Sequence, residues 1–143
     1  MNLETSKKVL KIAGICEIII AVIVLILGVL AMIGGNDLIG DAAANSEAQE
    51  QAALAIGGGV ILAITGVLSI IEGIISYQAG KTGKKKLATV AMVLAALSTI
   101  SSITGLFSGN NGGASNIVST VVGIALNVLV VYAAYVVRQA AQD

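Results

Sequence analysis

The sequence contains no histidine, tryptophan or proline, and its only cysteine is Cys16. One thiol excludes an internal disulfide, and without a cluster of cysteine and histidine side chains there is no ligand set for a structural zinc ion or a haem. The usual pairs of a nucleophile and a histidine base are missing as well. We therefore expect no enzyme active site and no cofactor, and we interpret Cys16 as a small buried hydrophobic residue in an apolar run.

Charge is also scarce. Charged residues make up 11% of the chain and hydrophobic residues 57%, whereas a soluble domain carries about a quarter charged residues. The mean hydropathy is +0.97. This composition predicts an integral membrane protein whose partners are lipids or other membrane proteins rather than nucleic acid.

Four apolar segments follow one another along the chain: Ile12–Ile33, Ala52–Tyr77, Leu87–Phe107 and Ile117–Val137. Each has about the 20 residues that a helix needs to cross the hydrocarbon core of a bilayer. With their flanks they predict helices at about 9–34, 47–79, 85–108 and 116–138. The predicted fold is all-α, a single transmembrane domain over residues 1–143.

The cations predict the topology of this domain. All eight lie before the first segment, between the second and third, or after the fourth: Lys7, Lys8, Lys11, Lys81, Lys84, Lys85, Lys86 and Arg138. By the positive-inside rule both termini are cytoplasmic, and the loops Asp37–Gln51 and Ser108–Asn116 face outward. The candidate contacts for anionic lipid headgroups are Lys7, Lys8, Lys81, Lys84, Lys85 and Lys86. We expect a multi-pass protein of the cell membrane.

A cleaved signal peptide is the alternative interpretation of residues 1–35, because Lys7, Lys8 and Lys11 precede an apolar run. That run is longer than the 7–15 residues of a usual signal-peptide core, and no A-x-A site closes it. A retained first helix is therefore favoured.

Small residues recur at helical spacing in all four segments. The proposed helix-packing positions are Gly14, Ala21, Gly28, Gly59, Gly66, Gly73, Ala91, Ala95 and Gly123. Helices in lipid associate by close packing, so small residues mark their contact faces. A spacing near 3.5 residues is that of a left-handed bundle. On the first helix, Ile19, Val22, Ile26 and Val29 are then expected to face lipid.

Polar residues interrupt the apolar segments at a few points. Glu17 lies five residues past Ile12, about 8 Å into the bilayer, and Glu72 reaches a similar depth on a helix running the other way. Tyr132 falls near that level, and Asn127 lies close to the midplane. An intramembrane acid costs about 3 kcal/mol and usually faces the protein interior or water. The sequence thus predicts a polar layer of Glu17, Glu72 and Tyr132, with Asn127 as a bridge between helices.

Two interpretations of this layer stay open. Glu17 and Glu72 are placed to carry protons or bind a cation. Alternatively, both acids lie near the headgroups and join helices by hydrogen bonds, with Thr65, Ser69 and Ser76 as donors on the face of Glu72. Serine and threonine of the third helix, in "STISSITG", are interpreted as hydroxyls that bond back to their own turns.

The stretches "EIIIAVIVLILGVLAMIGG" and "GIISYQAGKTGKKK", joined by an acidic and alanine-rich loop, resemble the small four-helix membrane proteins of Gram-positive bacteria. The resemblance extends over the whole chain and lies in the arrangement of its apolar segments and loops. It implies a bacterial tetraspan protein and brings no known activity.

The context "GICEII" around Glu17 is similar to the first helix of small multidrug resistance transporters. That resemblance implies exchange of protons against cationic drugs at Glu17. The chain departs from that family in lacking its tryptophan and prolines and in its strong charge bias.

Two functions therefore compete. The first is a structural or accessory membrane protein that forms a homo-oligomer or joins a larger membrane complex. The alternative is a small proton-coupled transporter or channel subunit that uses Glu17 and Glu72. The absence of proline disfavours the broken helices that are common at transporter sites.

Overall fold

The fold is all-helical over the residues that the structure, a computed structural model, describes: 1–41, 46–107 and 114–141. The four helices are α1 (Leu3–Asp41), α2 (Ser46–Thr82), α3 (Lys85–Phe107) and α4 (Ala114–Ala140). All four are long and apolar enough to cross a membrane. The prediction of four apolar helices is confirmed. Residues 42–45 of the first predicted outer loop and 108–113 of the second lie outside the described residues.

Helix α1 begins earlier than the sequence predicts because Asn2 caps it. The side-chain oxygen of Asn2 accepts a hydrogen bond from the backbone N–H of Thr5 at 2.8 Å, and the hydroxyl of Ser6 donates to the carbonyl of Asn2 at 2.9 Å. Such a cap satisfies donors that the first turn of a helix leaves unpaired. At its other end α1 continues past the predicted end at residue 34 to Asp41.

The connection between α2 and α3 is a glycine turn. Gly83 has a φ of 65°, and its N–H donates to the carbonyl of Ala79 at 2.9 Å. This is the left-handed cap that commonly ends a helix. The N–H of Ala88 then donates to the carbonyl of Lys84 at 3.0 Å and starts α3. The chain therefore reverses direction within two residues.

The chain divides into two compact units, and the first comprises Met1–Cys16 and Glu72–Asp143. Its core is built mainly of alanine, with contributions from all four helices. The buried cluster is Leu10, Ala79, Ala88, Ala91, Ala95, Val130, Ala133, Ala134 and Val137. α1 and α2 touch here through their backbones, since a β-carbon on Gly14 would lie 2.6 Å from the backbone nitrogen of Tyr77.

The second unit is Glu17–Ile71, and in it α1 and α2 pack along a line of small residues. A β-carbon on Gly28 would lie 2.8 Å from the carbonyl of Gly59, and one on Gly35 would lie 3.1 Å from the carbonyl of Ala52. One on Gly66 would lie 3.0 Å from the carbonyl of Ala21. Each step of seven residues along α1 is matched by a step of seven residues back along α2, so the helices run antiparallel.

Candidate functional site

Glu72 on α2 is held by a side chain of the next helix. The hydroxyl of Ser98 on α3 donates a hydrogen bond to Oε2 of Glu72 at 2.9 Å, and both side chains are half-buried. This bond joins polar side chains of two different helices. A carboxyl group in an apolar bundle is costly unless it is hydrogen-bonded, so Ser98 supplies a partner that burial makes necessary.

Two further polar atoms lie beside this bond. Among the described residues, neither Oε1 of Glu72 nor the hydroxyl of Ser76 has a hydrogen-bond partner, and both atoms are buried. Ser76 itself has no exposed surface. The two residues are four apart, which places them on the same face of α2. Each buried unpaired group costs about 1–3 kcal/mol, so the packing around this face of α2 has to offset that cost.

Three hydroxyls of α3, those of Thr99, Ser102 and Thr104, bond back to their own helix as the sequence analysis expects. Thr99 donates to the carbonyl of Ala95 at 2.8 Å and Ser102 donates to the carbonyl of Ser98 at 2.9 Å. Thr65, proposed as a donor to Glu72, donates instead to the carbonyl of Ile61 at 2.8 Å. The donor that Glu72 does have, Ser98, comes from a different helix, and the prediction that its hydroxyl bonds back to its own turn is wrong.

Glu17 is half-buried on α1. Cys16 next to it is exposed, so the prediction that its side chain is buried is wrong. Glu17 belongs to the unit Glu17–Ile71, whereas Glu72 belongs to the other unit. A pairing of the two acids stays a prediction.

The remaining residues of the predicted polar layer differ in exposure. Asn127 is half-buried, and Tyr132 is 52% exposed. Tyr132 is therefore a surface side chain of α4 and is not part of a buried polar layer among the described residues. Nearby on α4, the side-chain amide of Gln139 donates to the hydroxyl of Tyr135 at 2.7 Å.

The predicted helix-packing residues are buried with one exception. Those without appreciable exposure are Gly14, Ala21, Gly28, Gly59, Gly66, Gly73, Ala91 and Ala95. Gly123 on α4 is half-buried, and a β-carbon built there meets no atom within 4 Å among the described residues. Gly123 therefore makes no close packing contact in the described part of the chain, and its role in an oligomer contact stays a prediction.

The predicted lipid-contact lysines lie at one end of the first unit. Lys7, Lys8 and Lys81 line a cleft of about 180 Å³ between α1 and α2. Lys84, Lys85 and Lys86 are exposed at the turn into α3. Lys11, which the sequence analysis used only for topology, also lines the cleft.

Comparison of the chain with protein-family models, curated proteins and solved structures finds no match.

Proposed function

We propose that the chain is a multi-pass protein of the cell membrane with a structural or accessory role, packing with copies of itself or with a larger membrane complex. The observation that supports this is that small side chains are buried and large aliphatic side chains are exposed. The core is mainly alanine, while the largest aliphatic side chains are exposed, for example Leu54 at 69% and Ile61 at 66%. A protein in water buries such side chains. In lipid, close packing of small residues is the main source of helix association.

The exposed surface of α1 has the chemistry that lipid or a membrane partner would cover. Ile19, Val22, Ile26 and Val29 are all exposed. Next to them, the face of α1 that contains Ala21 and Gly28 is already occupied by α2. An oligomer or a larger complex would therefore use the aliphatic faces, and lipid would cover what remains of them.

The proposed orientation places both termini and the Lys81–Lys86 turn in the cytoplasm. The distribution of lysine and arginine supports it, because none of these residues occurs in the two other loops. The seven-residue spacing of the contacts between α1 and α2 supports a left-handed bundle. A place among the small four-helix membrane proteins of Gram-positive bacteria is part of the same proposal.

Extraction and crosslinking together test this function. The chain should stay in the membrane pellet after alkaline carbonate treatment, as a spanning protein does. Single cysteines at Ile19 or Ile26, in a Cys16→Ala background, should give a discrete crosslinked species in native membranes. Release by carbonate would contradict the membrane assignment. Absence of any crosslinked species from both positions would contradict association through this face of α1.

A second candidate function is a small proton-coupled transporter or channel subunit. The observation that favours it is the buried Oε1 of Glu72, which has no hydrogen-bond partner among the described residues and lies one turn from the equally unpaired Ser76. An acid in this setting is a candidate to exchange a proton or a cation. Flux of protons or of a cationic dye into liposomes that contain the purified chain distinguishes this function from the accessory one.

A further inference from the structure

The first turns of α1 and the last turn of α2 form a cleft of about 180 Å³. Its lining residues are Glu4, Lys7, Lys8, Lys11, Gly80 and Lys81. Gly80 brings the two helices together, since a β-carbon there would lie 2.6 Å from the carbonyl of Lys7 and 2.9 Å from the backbone nitrogen of Lys11. This close approach makes lysines from two helices converge on one small space.

The charge in this cleft is unbalanced. Four lysines and one glutamate line it, which gives a net charge of +3. The other acid described in this unit is Glu72, two helical turns before Gly80 on α2. Three more lysines follow at once in the turn, Lys84 to Lys86. Like charges at this density repel one another, and an anion in the cleft would relieve that repulsion.

One of the four lysines, Lys7, already lies against the end of α2. A β-carbon on Gly83 would lie 2.9 Å from Cε and 3.0 Å from Nζ of Lys7. The ammonium group of Lys7 is therefore near the carboxyl end of α2, where the exposed carbonyl groups and the helix dipole favour a cation. Lys8 and Lys81 are exposed and Lys11 is half-buried, so these three side chains are available to a ligand.

We propose that this cleft binds the phosphate group of an anionic phospholipid, with Lys8, Lys11 and Lys81 as its cationic contacts. The volume is below the roughly 300 Å³ of a usual ligand pocket, and it suits a headgroup phosphate better than a larger molecule. Basic pockets between membrane helices on the cytoplasmic side are known sites for such headgroups. Beyond the cleft the two helices expose Ile12, Ile15 and Ile74, side chains suited to acyl chains, which favours a lipid over free phosphate. The inference rests on the proposed membrane location.

Titration of the full chain in zwitterionic detergent, followed by native mass spectrometry, tests the proposal. The probes are dioleoylphosphatidylglycerol, dioleoylphosphatidylcholine and inorganic phosphate. We expect one phosphatidylglycerol to bind at least about tenfold more tightly than phosphatidylcholine. The variant pair Lys8→Gln and Lys81→Gln should lose about tenfold or more of that affinity. The control pair Lys85→Gln and Lys86→Gln removes the same charge outside the cleft and should lose less than about threefold.

Several outcomes would overturn the proposal. An equal loss of affinity in both pairs would mean diffuse attraction without a site. Displacement of phosphatidylglycerol by millimolar inorganic phosphate would mean that free phosphate is the ligand. A chain that resists carbonate extraction but binds both lipids equally would overturn the headgroup site and leave the proposed membrane function intact. Helicity of each variant, measured by circular dichroism, shows that it is folded, and Lys11→Gln serves as the test variant if the cleft pair is not.

Discussion

Gly28 of α1 and Gly59 of α2 pack backbone against backbone, and the relationship is reciprocal. A β-carbon on Gly59 would lie 2.7 Å from the carbonyl oxygen of Gly28, and one on Gly28 would lie 2.8 Å from the carbonyl oxygen of Gly59. Real β-carbons essentially never come that close to a backbone atom. The absence of a side chain at both positions is therefore what permits this contact between the two helices.

The neighbouring glycines of α2 provide a matched test of this contact. Gly59→Ala should lower the free energy of unfolding by about 1–3 kcal/mol, because the added methyl group has to push the backbones apart. Gly58→Ala should leave stability unchanged or raise it by up to about 1 kcal/mol, since a β-carbon there meets no described atom within 4 Å and alanine favours the helix. Unfolding of both variants in mixed micelles measures the difference. Equal stability of the two would show that the contact at Gly59 does not limit packing.

The packing faces could be predicted from the sequence because the spacing of small residues can be read within each helix separately. Gly14, Ala21 and Gly28 recur every seven residues, and that spacing alone places them on one face of a helix. The size of their side chains then indicates which face is in contact. Gly123 shows the limit of the same reasoning: it has the same residue type, but no neighbour among the described residues uses the space it leaves.

The second test concerns the contribution to stability of the hydrogen bond between Ser98 and Glu72. Ser98→Ala removes the one donor described for Oε2 of Glu72 and should lower the free energy of unfolding by about 1–3 kcal/mol, because it leaves a buried carboxyl oxygen unpaired. Ser101→Ala is the control, since Ser101 is exposed on the same helix and the side chain removed is identical. Should both variants unfold alike, the bond would contribute nothing to holding α3 against α2.

The partner of Glu72 was not predictable from spacing. Ser98, Thr99 and Ser102 look equivalent in the sequence, and each hydroxyl has a carbonyl of its own helix within reach. Thr99 and Ser102 use that carbonyl, whereas Ser98 donates to α2. What separates them is the rotation of α3 about its axis, and packing against the neighbouring helices decides that rotation. The sequence predicts the depth of each residue in the membrane, but that depth does not determine the rotation of α3.

The orientation in the membrane is the third test. Lys84→Cys and Asp37→Cys, each in a Cys16→Ala background, place one thiol at each end of the predicted bundle. Asp37→Cys should react with a membrane-impermeant maleimide in intact cells, and Lys84→Cys should react only after permeabilisation, because the positive-inside rule places the lysine-rich turn in the cytoplasm. Both positions are exposed in the structure. Labelling of Lys84→Cys in intact cells would reverse the proposed orientation.

Substitution of the two membrane acids decides between the accessory and the transport function. Glu72→Gln retains an oxygen that accepts the hydrogen bond from Ser98 but does not titrate, so this variant should unfold within about 1 kcal/mol of the wild-type chain. Glu72→Leu loses the acceptor and leaves the Ser98 hydroxyl to find another partner, so it should be the less stable of the two. Glu17→Gln is the parallel variant on α1.

For an accessory protein we expect liposomes containing the wild-type chain to show the same flux of protons and cationic dye as empty liposomes, at every pH between about 5 and 8. The Gln variants should then match the wild type, because neither acid takes part in transport. A pH-driven flux that the wild type supports and that Glu72→Gln or Glu17→Gln abolishes without loss of stability would contradict this, because only a step that needs a titrating carboxyl group is sensitive to that change. Such a result would make transport the function of the chain.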